Sequence, residues 1–322
     1  MKSNRAVQSR KYLVLGTILL AITLGSAVRS ASADPVTFNP TLDADLDPPG
    51  DPSTSIPDST GEPGNAVIFF PMQDPFTPLL ADPRQPTSNL SFFTFSNEGY
   101  GQFNGTFGAD LGIVRIESQT KGIQRSIQIG IMGAGFSRFA LVDSAAQLID
   151  TDYVIGVPVT FRIDNFSARI YFYHESSHIG EDYTKLTGFV PTSNFGQEIL
   201  QVTPSWDVNR HLRLYGGVSY RIVELGNYPT IGDSLILQGG FEVYGNRWKK
   251  VQARGYIAFN IESMGLTGYT PSEDFQIGVL FHRPGSYFQV RPAFDFFNGY
   301  SPMGDLPFLK ETYGEMGVYF DF

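Results

Sequence analysis

The chain of 322 residues contains no cysteine, which excludes disulfide bonds and any chemistry that needs a thiolate. Charged residues make up only 17% of it, and acidic residues outnumber basic ones by 32 to 23. This balance argues against a nucleic-acid partner, because such an interface needs clustered lysine and arginine. Glycine-rich phosphate loops and HExxH zinc motifs are also missing, so neither common signature supplies a function.

Long apolar runs are lacking beyond the N-terminus. There, basic residues precede an apolar stretch over 12–25, and Ala31-Ser32-Ala33 provides a small-residue cleavage site, which predicts a signal peptide over 1–33. An uncleaved membrane anchor is the alternative. Because no later run is long enough for a transmembrane helix, only a closed barrel would satisfy the backbone in lipid.

Glycine, tyrosine and phenylalanine are abundant, which suits an all-β protein. The C-terminus carries the clearest pattern, because its side chains alternate with a period of two and therefore predict a strand. One parity is polar or aromatic, the other is mostly apolar, and the chain ends on Phe322. The first parity consists of Tyr313, Glu315, Gly317, Tyr319 and Asp321.

This ending resembles the terminal strand of bacterial outer-membrane β-barrels, in which a final aromatic residue is part of the assembly signal. The resemblance implies that Phe322 lies at the periplasmic end and is recognised by the barrel-assembly machinery. It also implies export to the cell outer membrane and contact with outer-membrane lipids.

Twelve segments of the chain have the pattern of a strand, and the C-terminal segment is the last of them. Tight turns such as Asp164-Asn165 alternate with longer connections such as 179–196, as expected for short periplasmic turns and longer outside loops. The same alternation predicts an outside loop over 134–151. We therefore predict an all-β fold, an antiparallel transmembrane β-barrel of about twelve strands. The strands are predicted at 90–97, 107–116, 125–133, 152–163, 166–177, 197–208, 211–223, 234–245, 249–261, 273–282, 287–297 and 312–322.

The N-terminal third divides by composition. Residues 34–65 are rich in Pro, Asp, Gly and Ser and are predicted to be a disordered tether. Residues 66–89 add apolar side chains among prolines, whose density forbids a central strand. We interpret 66–89 as an irregular periplasmic segment packed under or into the barrel mouth, with a periplasmic interaction motif as the alternative. The barrel itself is assigned to 90–322.

The side chains that are predicted to face the barrel interior include many charged residues. One interpretation is a rigid interior held by ion pairs. The other is a small channel or transporter whose arginines favour anions. The arginines are Arg162, Arg169, Arg213, Arg221, Arg254 and Arg291, and the acids are Glu175, Glu242, Asp295, Glu315 and Asp321.

One motif is predicted on the opposite, outward face of a strand. His174 and Ser176 are two residues apart on the fifth predicted strand, so both point toward lipid near its outer end. Polar groups on that face are disfavoured except near the interface. The sequence thus places a potential nucleophile and a potential base side by side at the rim.

The pair resembles the His-x-Ser motif of two lipid hydrolases, outer-membrane phospholipase A and lipid A 3-O-deacylase. These families often have Asn after the serine, where this chain has Ser177. The resemblance implies that Ser176 attacks an acyl ester, that His174 accepts its proton, and that a third residue orients His174. Glu198 on the next strand is the candidate for that role, with Asn194 as the alternative.

A cation could complete such a site. By the phospholipase resemblance, Glu181 and Asp182 could hold Ca²⁺ to polarise the ester, alongside backbone amides of 177–180 as an oxyanion hole. A Zn²⁺ site formed by His174, His178 and Glu181 is a further alternative, although a strand spreads these rings apart.

The barrel domain as a whole resembles an uncharacterised outer-membrane family with a His-x-Ser-Ser-His-x-Gly stretch. Three functions remain open: a lipid-acting serine hydrolase at the outer rim, a channel with an arginine-rich lumen, and a structural barrel without activity. The hydrolase hypothesis alone explains why His174, Ser176 and Glu198 share the lipid face.

Overall fold

A computed structural model describes a long, nearly continuous part of the chain. Of residues 223–225 it describes the backbone only. The predicted signal peptide, residues 34–64 of the predicted tether and Phe322 lie outside the described residues. The residues that the structure describes are 65–93, 101–120, 123–142, 145–189, 195–225, 234–282 and 288–321.

Antiparallel strands dominate the described residues. A seven-residue helix, α1 (Glu181–Thr187), follows the sixth strand, and a 3-10 turn, Gly265–Thr267, follows the tenth. The strands are β1 (Ala66–Phe69), β2 (Ser88–Phe93), β3 (Gly101–Thr120), β4 (Ile123–Val142), β5 (Ala145–Ile163), β6 (Phe166–Ile179), β7 (Phe195–Asn209), β8 (Leu212–Leu225), β9 (Leu235–Tyr244), β10 (Ala253–Met264), β11 (Pro271–His282), β12 (Gln289–Tyr300) and β13 (Lys310–Asp321).

Strands β2 to β13 form a closed ring of twelve. Each pairs with its neighbours in sequence, and β2 joins β13 on one side to β3 on the other. β1 lies outside this ring and pairs with β3 from Ala66↔Glu117 to Phe69↔Val114. The predicted twelve-stranded antiparallel barrel is therefore confirmed.

No helix in the described part of the chain is long and apolar enough to cross a membrane.

The two faces of the wall follow the predicted parity. In β13, Tyr313 and Tyr319 are buried, whereas Met316 on the other face is 60% exposed. The same division separates buried Arg291 from exposed Phe294 in β12. Polar side chains therefore fill the interior and apolar ones form the outer surface, which is the pattern of a barrel surrounded by lipid.

The predicted outside loop over 134–151 is wrong. β4 continues to Val142 and β5 begins at Ala145, with Phe139↔Leu148 among the paired positions. Buried Arg138 and Asp150 made this stretch polar, and Gly135 and Ser137 at outward positions hid its alternation. The interior charges that resembled a loop sequence are thus inward side chains of long strands.

Residues 66–89 also differ from the prediction. They include strand β1, and the barrel begins at Ser88 rather than at residue 90. The irregular part, 71–87, packs against the inward side chains of the ring, in agreement with the predicted packing into the barrel mouth, and we call it the plug. Its prolines prevent pairing in the wall, while its apolar side chains need a buried environment.

The plug is anchored by its own core. Phe76, Leu79, Leu80 and Ala81 are almost fully buried. Phe76 and Leu79 cluster with Tyr215 of β8, a side chain that points into the ring. Apolar burial therefore stabilises a segment without regular secondary structure.

Polar contacts satisfy the plug backbone. Arg213 donates from Nη2 to the carbonyl of Thr77 at 2.7 Å, and the Leu80 amide donates to Glu242 Oε1 at 2.9 Å. Arg213 and Glu242 also pair with each other at 3.1 Å. Such partners are required because unpaired buried backbone groups are costly.

Truncation of Leu79 tests the plug core. Because Leu79 is fully buried, Leu79→Ala should lower the free energy of unfolding by about 2–4 kcal/mol. Leu111→Ala is the matched control, since Leu111 is 65% exposed on the outer wall. Equilibrium unfolding in urea measures both. Equal effects of the two substitutions would contradict a packed plug.

Asp74 makes the plug sensitive to pH. Its Oδ1 accepts the Phe76 amide at 2.6 Å and its Oδ2 accepts the Thr160 hydroxyl at 2.9 Å. Burial raises the pKa of Asp74 to about 6, although these hydrogen bonds and the nearby Arg169 and Arg115 oppose the rise. The folded pKa exceeds the unfolded one, so this group stabilises the plug most below about pH 4 and loses that contribution as pH rises through about 6.

We therefore expect plug amides to be less protected from hydrogen exchange at about pH 8 than at about pH 5, after correction for intrinsic rates. Asp74→Asn should flatten this dependence because it removes the ionisation. An identical pH dependence in the variant would show that another group is responsible.

Candidate functional site at one end of the barrel wall

Strand β6 carries the His-x-Ser motif on its outer face. It begins after the tight turn at Asp164-Asn165, so His174 and Ser176 lie near its opposite end. Their neighbours Glu175 and Ser177 are buried and point into the ring. The predicted separation of the four side chains between the two faces is present.

Glu198 on β7 lies directly across from His174. The two residues are paired in the β6–β7 register, and His174 Nδ1 is 2.9 Å from Glu198 Oε1. Their side chains are 41% and 30% exposed. Asn194, the alternative third residue, lies outside the described residues. The structure therefore brings together the histidine and the acid that sequence parity placed on one face.

An ionised Glu198 carboxylate can only accept a hydrogen bond, so this contact favours a proton on His174 Nδ1. If Nδ1 donates to the carboxylate, Nε2 is left as an acceptor, which is the form that a general base requires. Within the described part of the chain, Ser176 has no side-chain hydrogen bond to His174. Nucleophile–base contacts are often loose without substrate and tighten when it binds.

Ser176 is half-buried on the outer face of the wall. Its cross-strand partners are Gly196 on β7, which has no side chain, and Tyr153 on β5. The Tyr153 ring leans toward Gly135 of β4, where an added Cβ would lie 3.6 Å from it.

The expected cation ligands do not converge. Glu181 and Asp182 lie in the first turn of α1, are 93% and 53% exposed, and approach Lys185 at 3.7 and 3.6 Å. Among the described residues, no three His, Asp or Glu side chains are close enough to hold a metal ion. Ca²⁺ binding by this pair stays a prediction, and the Zn²⁺ alternative with His178 gains no support.

The expected oxyanion hole is also altered. The Gly180 amide donates to the Ile149 carbonyl at 2.9 Å, and Ser177 to Ile179 pair with β5. Amides used by the sheet cannot turn toward a substrate. Stabilisation of a developing oxyanion would therefore need a group other than the Gly180 amide.

A buried polar network lies directly behind the motif. Arg84 of the plug donates to Asp152 Oδ2 at 2.6 Å and to Glu175 Oε1 at 2.5 Å. Burial alone would lower the pKa of Arg84, but Glu175 and Asp152 raise it above its usual value. The sequence predicts that Glu175 points inward, but no local pattern connects it to Arg84, which lies in an irregular segment far away in sequence.

The predicted lumenal arginines are inside the ring, and several have acidic partners. Three pairs have N···O distances of 2.7, 3.1 and 2.7 Å, and Arg254 lies over the Tyr244 ring at 3.8 Å. Two cavities of about 50 and 100 Å³ adjoin the plug. The three pairs are Arg162–Asp207, Arg213–Glu242 and Arg291–Asp321.

The closed ring and its apolar outer surface define an outer-membrane-type β-barrel. Residues 56–322 match the family described as "Protein of unknown function (DUF1207)", and the chain belongs to this family. No curated protein matches the chain.

Solved structures with a similar arrangement include outer-membrane phospholipase A from Escherichia coli, at 13% identity and a TM-score of 0.45, covering 73% of this chain and 93% of that one. KdgM porin has 12% identity and a TM-score of 0.38, with 73% and 99% covered. The anion-selective porin from Comamonas acidovorans has 8% identity and a TM-score of 0.34, with 80% and 99% covered.

The plug and the paired lumenal arginines lead to a prediction about ion conductance. Because residues 71–87 occupy the ring interior, the purified protein should show no steady conductance in planar bilayers. Replacing 71–87 by a short Gly-Ser linker should produce ion currents. Steady currents from the unaltered protein would instead favour the channel hypothesis.

Proposed function

We propose that this protein is an outer-membrane lipid hydrolase that cleaves acyl esters of phospholipid or lipid A at the outer rim of its wall. The observation that carries the proposal is the 2.9 Å contact between His174 Nδ1 and Glu198 Oε1 on the lipid-facing surface. Ionisable groups on that face are unfavourable in the membrane centre, so an oriented pair beside a serine needs a reason. Catalysis on lipid headgroups supplies one.

The location at the rim follows from the topology that we propose. With the C-terminus and the tight turns in the periplasm, β6 runs outward and ends at the level of the outer headgroups. The ester bonds of a membrane lipid lie just below its headgroup. Ser176 would therefore meet an ester without extraction of the lipid from the bilayer.

The proposed reaction has two steps. Ser176 Oγ attacks the acyl carbonyl carbon while His174 Nε2 takes the hydroxyl proton, and the proton passes to the leaving alcohol oxygen as the ester C–O bond breaks. Water, deprotonated by His174, then attacks the acyl-serine, and fatty acid leaves as Ser176 regains its proton. Glu198 orients the imidazole and stabilises its protonated form.

A channel is the second candidate function. It is less favoured because the plug fills the lumen through which ions would pass. A structural barrel without activity leaves the His174–Glu198 pair unexplained. Recognition of Phe322 by the assembly machinery and removal of residues 1–33 belong to the same proposal, since the site requires export to the outer membrane.

Fatty-acid release by protein purified in detergent tests the hydrolase. With phospholipid or lipid A as substrate, Ser176→Ala and His174→Ala should each lower kcat by about 1,000-fold or more, because each removes one member of a catalytic unit. Glu198→Ala should lower kcat by about 10- to 1,000-fold, since the remaining groups still function without orientation. His178→Ala is the matched control, because His178 is exposed on the same face.

Two further measurements sharpen this test. A fluorophosphonate should label Ser176, detected by mass spectrometry, and should not label the His174→Ala variant. Assays with Ca²⁺ and with EDTA, repeated on Glu181→Gln and Asp182→Asn, test the predicted cation. Full activity of Ser176→Ala, or no ester cleavage by the unaltered protein on either lipid, would contradict the proposal.

A further inference from the structure

Arg84 connects the plug to the strands that carry the candidate site. Glu175 lies between His174 and Ser176 in sequence but points inward, where it accepts the 2.5 Å hydrogen bond from Arg84. Asp152, the second partner of Arg84, precedes Tyr153, the cross-strand neighbour of Ser176. Arg84 thus holds β5 and β6 together immediately behind the motif.

β7 joins the same network. Gln197 donates from Nε2 to Glu175 Oε2 at 2.8 Å, and its neighbour Glu198 contacts His174 on the outer face. Both oxygens of Glu175 are therefore occupied, one by the plug and one by β7. A displacement of Glu175 would remove a side-chain contact between β6 and β7 directly behind the paired His174 and Glu198.

The connection between β12 and β13 completes the network. The Gly304 amide donates to Asp152 Oδ2 at 2.9 Å, and the Asp305 amide donates to Ser177 Oγ at 2.9 Å. Ser177 Oγ in turn lies 3.1 Å from Asp150 Oδ1. The inward neighbours of the candidate site are thus all fixed by buried partners.

Burial makes the inner network stiffer than the outer contact. Asp152 is fully buried and Glu175 is nearly so, whereas His174 and Glu198 are substantially exposed. Exposed pairs contribute little and hold their geometry poorly, while buried charge-assisted hydrogen bonds are strong and directional. The geometry of the outer pair therefore depends on the inner network more than on its own attraction.

We propose that Arg84 is a positioning residue for the candidate hydrolase, holding His174, Ser176 and Glu198 in register from the lumenal side through Glu175 and Asp152. This inference rests on the proposed function. It assigns the plug a role in the outer-rim site, so that activity depends on a segment which does not itself meet the lipid.

The experiment compares two arginines that both join the plug to the wall. Arg84→Gln removes the charge behind the site. Arg162→Gln is the matched control, because Arg162 binds the Pro75 carbonyl at 2.8 Å and Asp207 at 2.7 Å near the end with tight turns. Arg84→Lys tests conservative rescue. Circular dichroism, and a comparison of the gel mobility of heated and unheated protein, first establish that each variant folds.

Arg84→Gln should lower kcat by about 10- to 100-fold with KM nearly unchanged, because small displacements of reacting groups cost this much. Glu175→Gln should act in the same direction, Arg84→Lys should recover part of the loss, and Arg162→Gln should keep kcat within about twofold of the unaltered protein. Equal kcat for folded Arg84→Gln and Arg162→Gln would overturn the inference while leaving the hydrolase proposal intact.

A spectroscopic measurement separates the two proposals. In ¹⁵N-histidine spectra, assigned with His174→Ala, the ring of His174 should report the tautomer with Nδ1 protonated. Arg84→Gln should shift this signal, and Arg162→Gln should not. If Arg84→Gln shifts the His174 signal but the unaltered protein cleaves no ester, the result supports positioning by Arg84 and rejects the hydrolase. An unchanged His174 signal in Arg84→Gln would overturn positioning.

Discussion

The structure depends on closure of the sheet through β2. This short strand pairs with β13 on one side and with β3 on the other, so it closes the ring along part of each neighbouring strand. In lipid an open edge would be prohibitively unfavourable, and closure is what permits an apolar outer surface. Because β2 begins only at Ser88, the preceding residues 71–87 are directed into the ring, and β1 covers part of the remaining edge of β3.

Closure also divides the side chains between two environments that impose opposite demands. Inward charges must find partners, and they do so with each other and with the plug, as in the Arg213–Glu242 pair that also binds plug backbone. Outward positions are mostly apolar, and His174 and Glu198 are ionisable residues among them. The candidate site is therefore conspicuous because its residues lie on the face that excludes most polar groups.

The plug links these two environments. Its arginine at position 84 binds the inward residue between His174 and Ser176, so a segment without regular structure contacts the back of the most unusual part of the wall. The same segment fills space that a channel would need. One structural feature thus bears on both functional hypotheses, because occupying the lumen and supporting the wall are consequences of the same packing.

The sequence alone determined the strand period, the twelve-stranded barrel and the face on which His174, Ser176 and Glu198 lie, because alternation is a local property. It failed at 134–151, where buried charges imitated a loop, and it missed strand β1 within 66–89. Only the tertiary structure decided that Glu198 opposes His174 and that Arg84 meets Glu175 and Asp152. Register and lumenal pairing join residues far apart in sequence, so they are fixed only when the sheet closes.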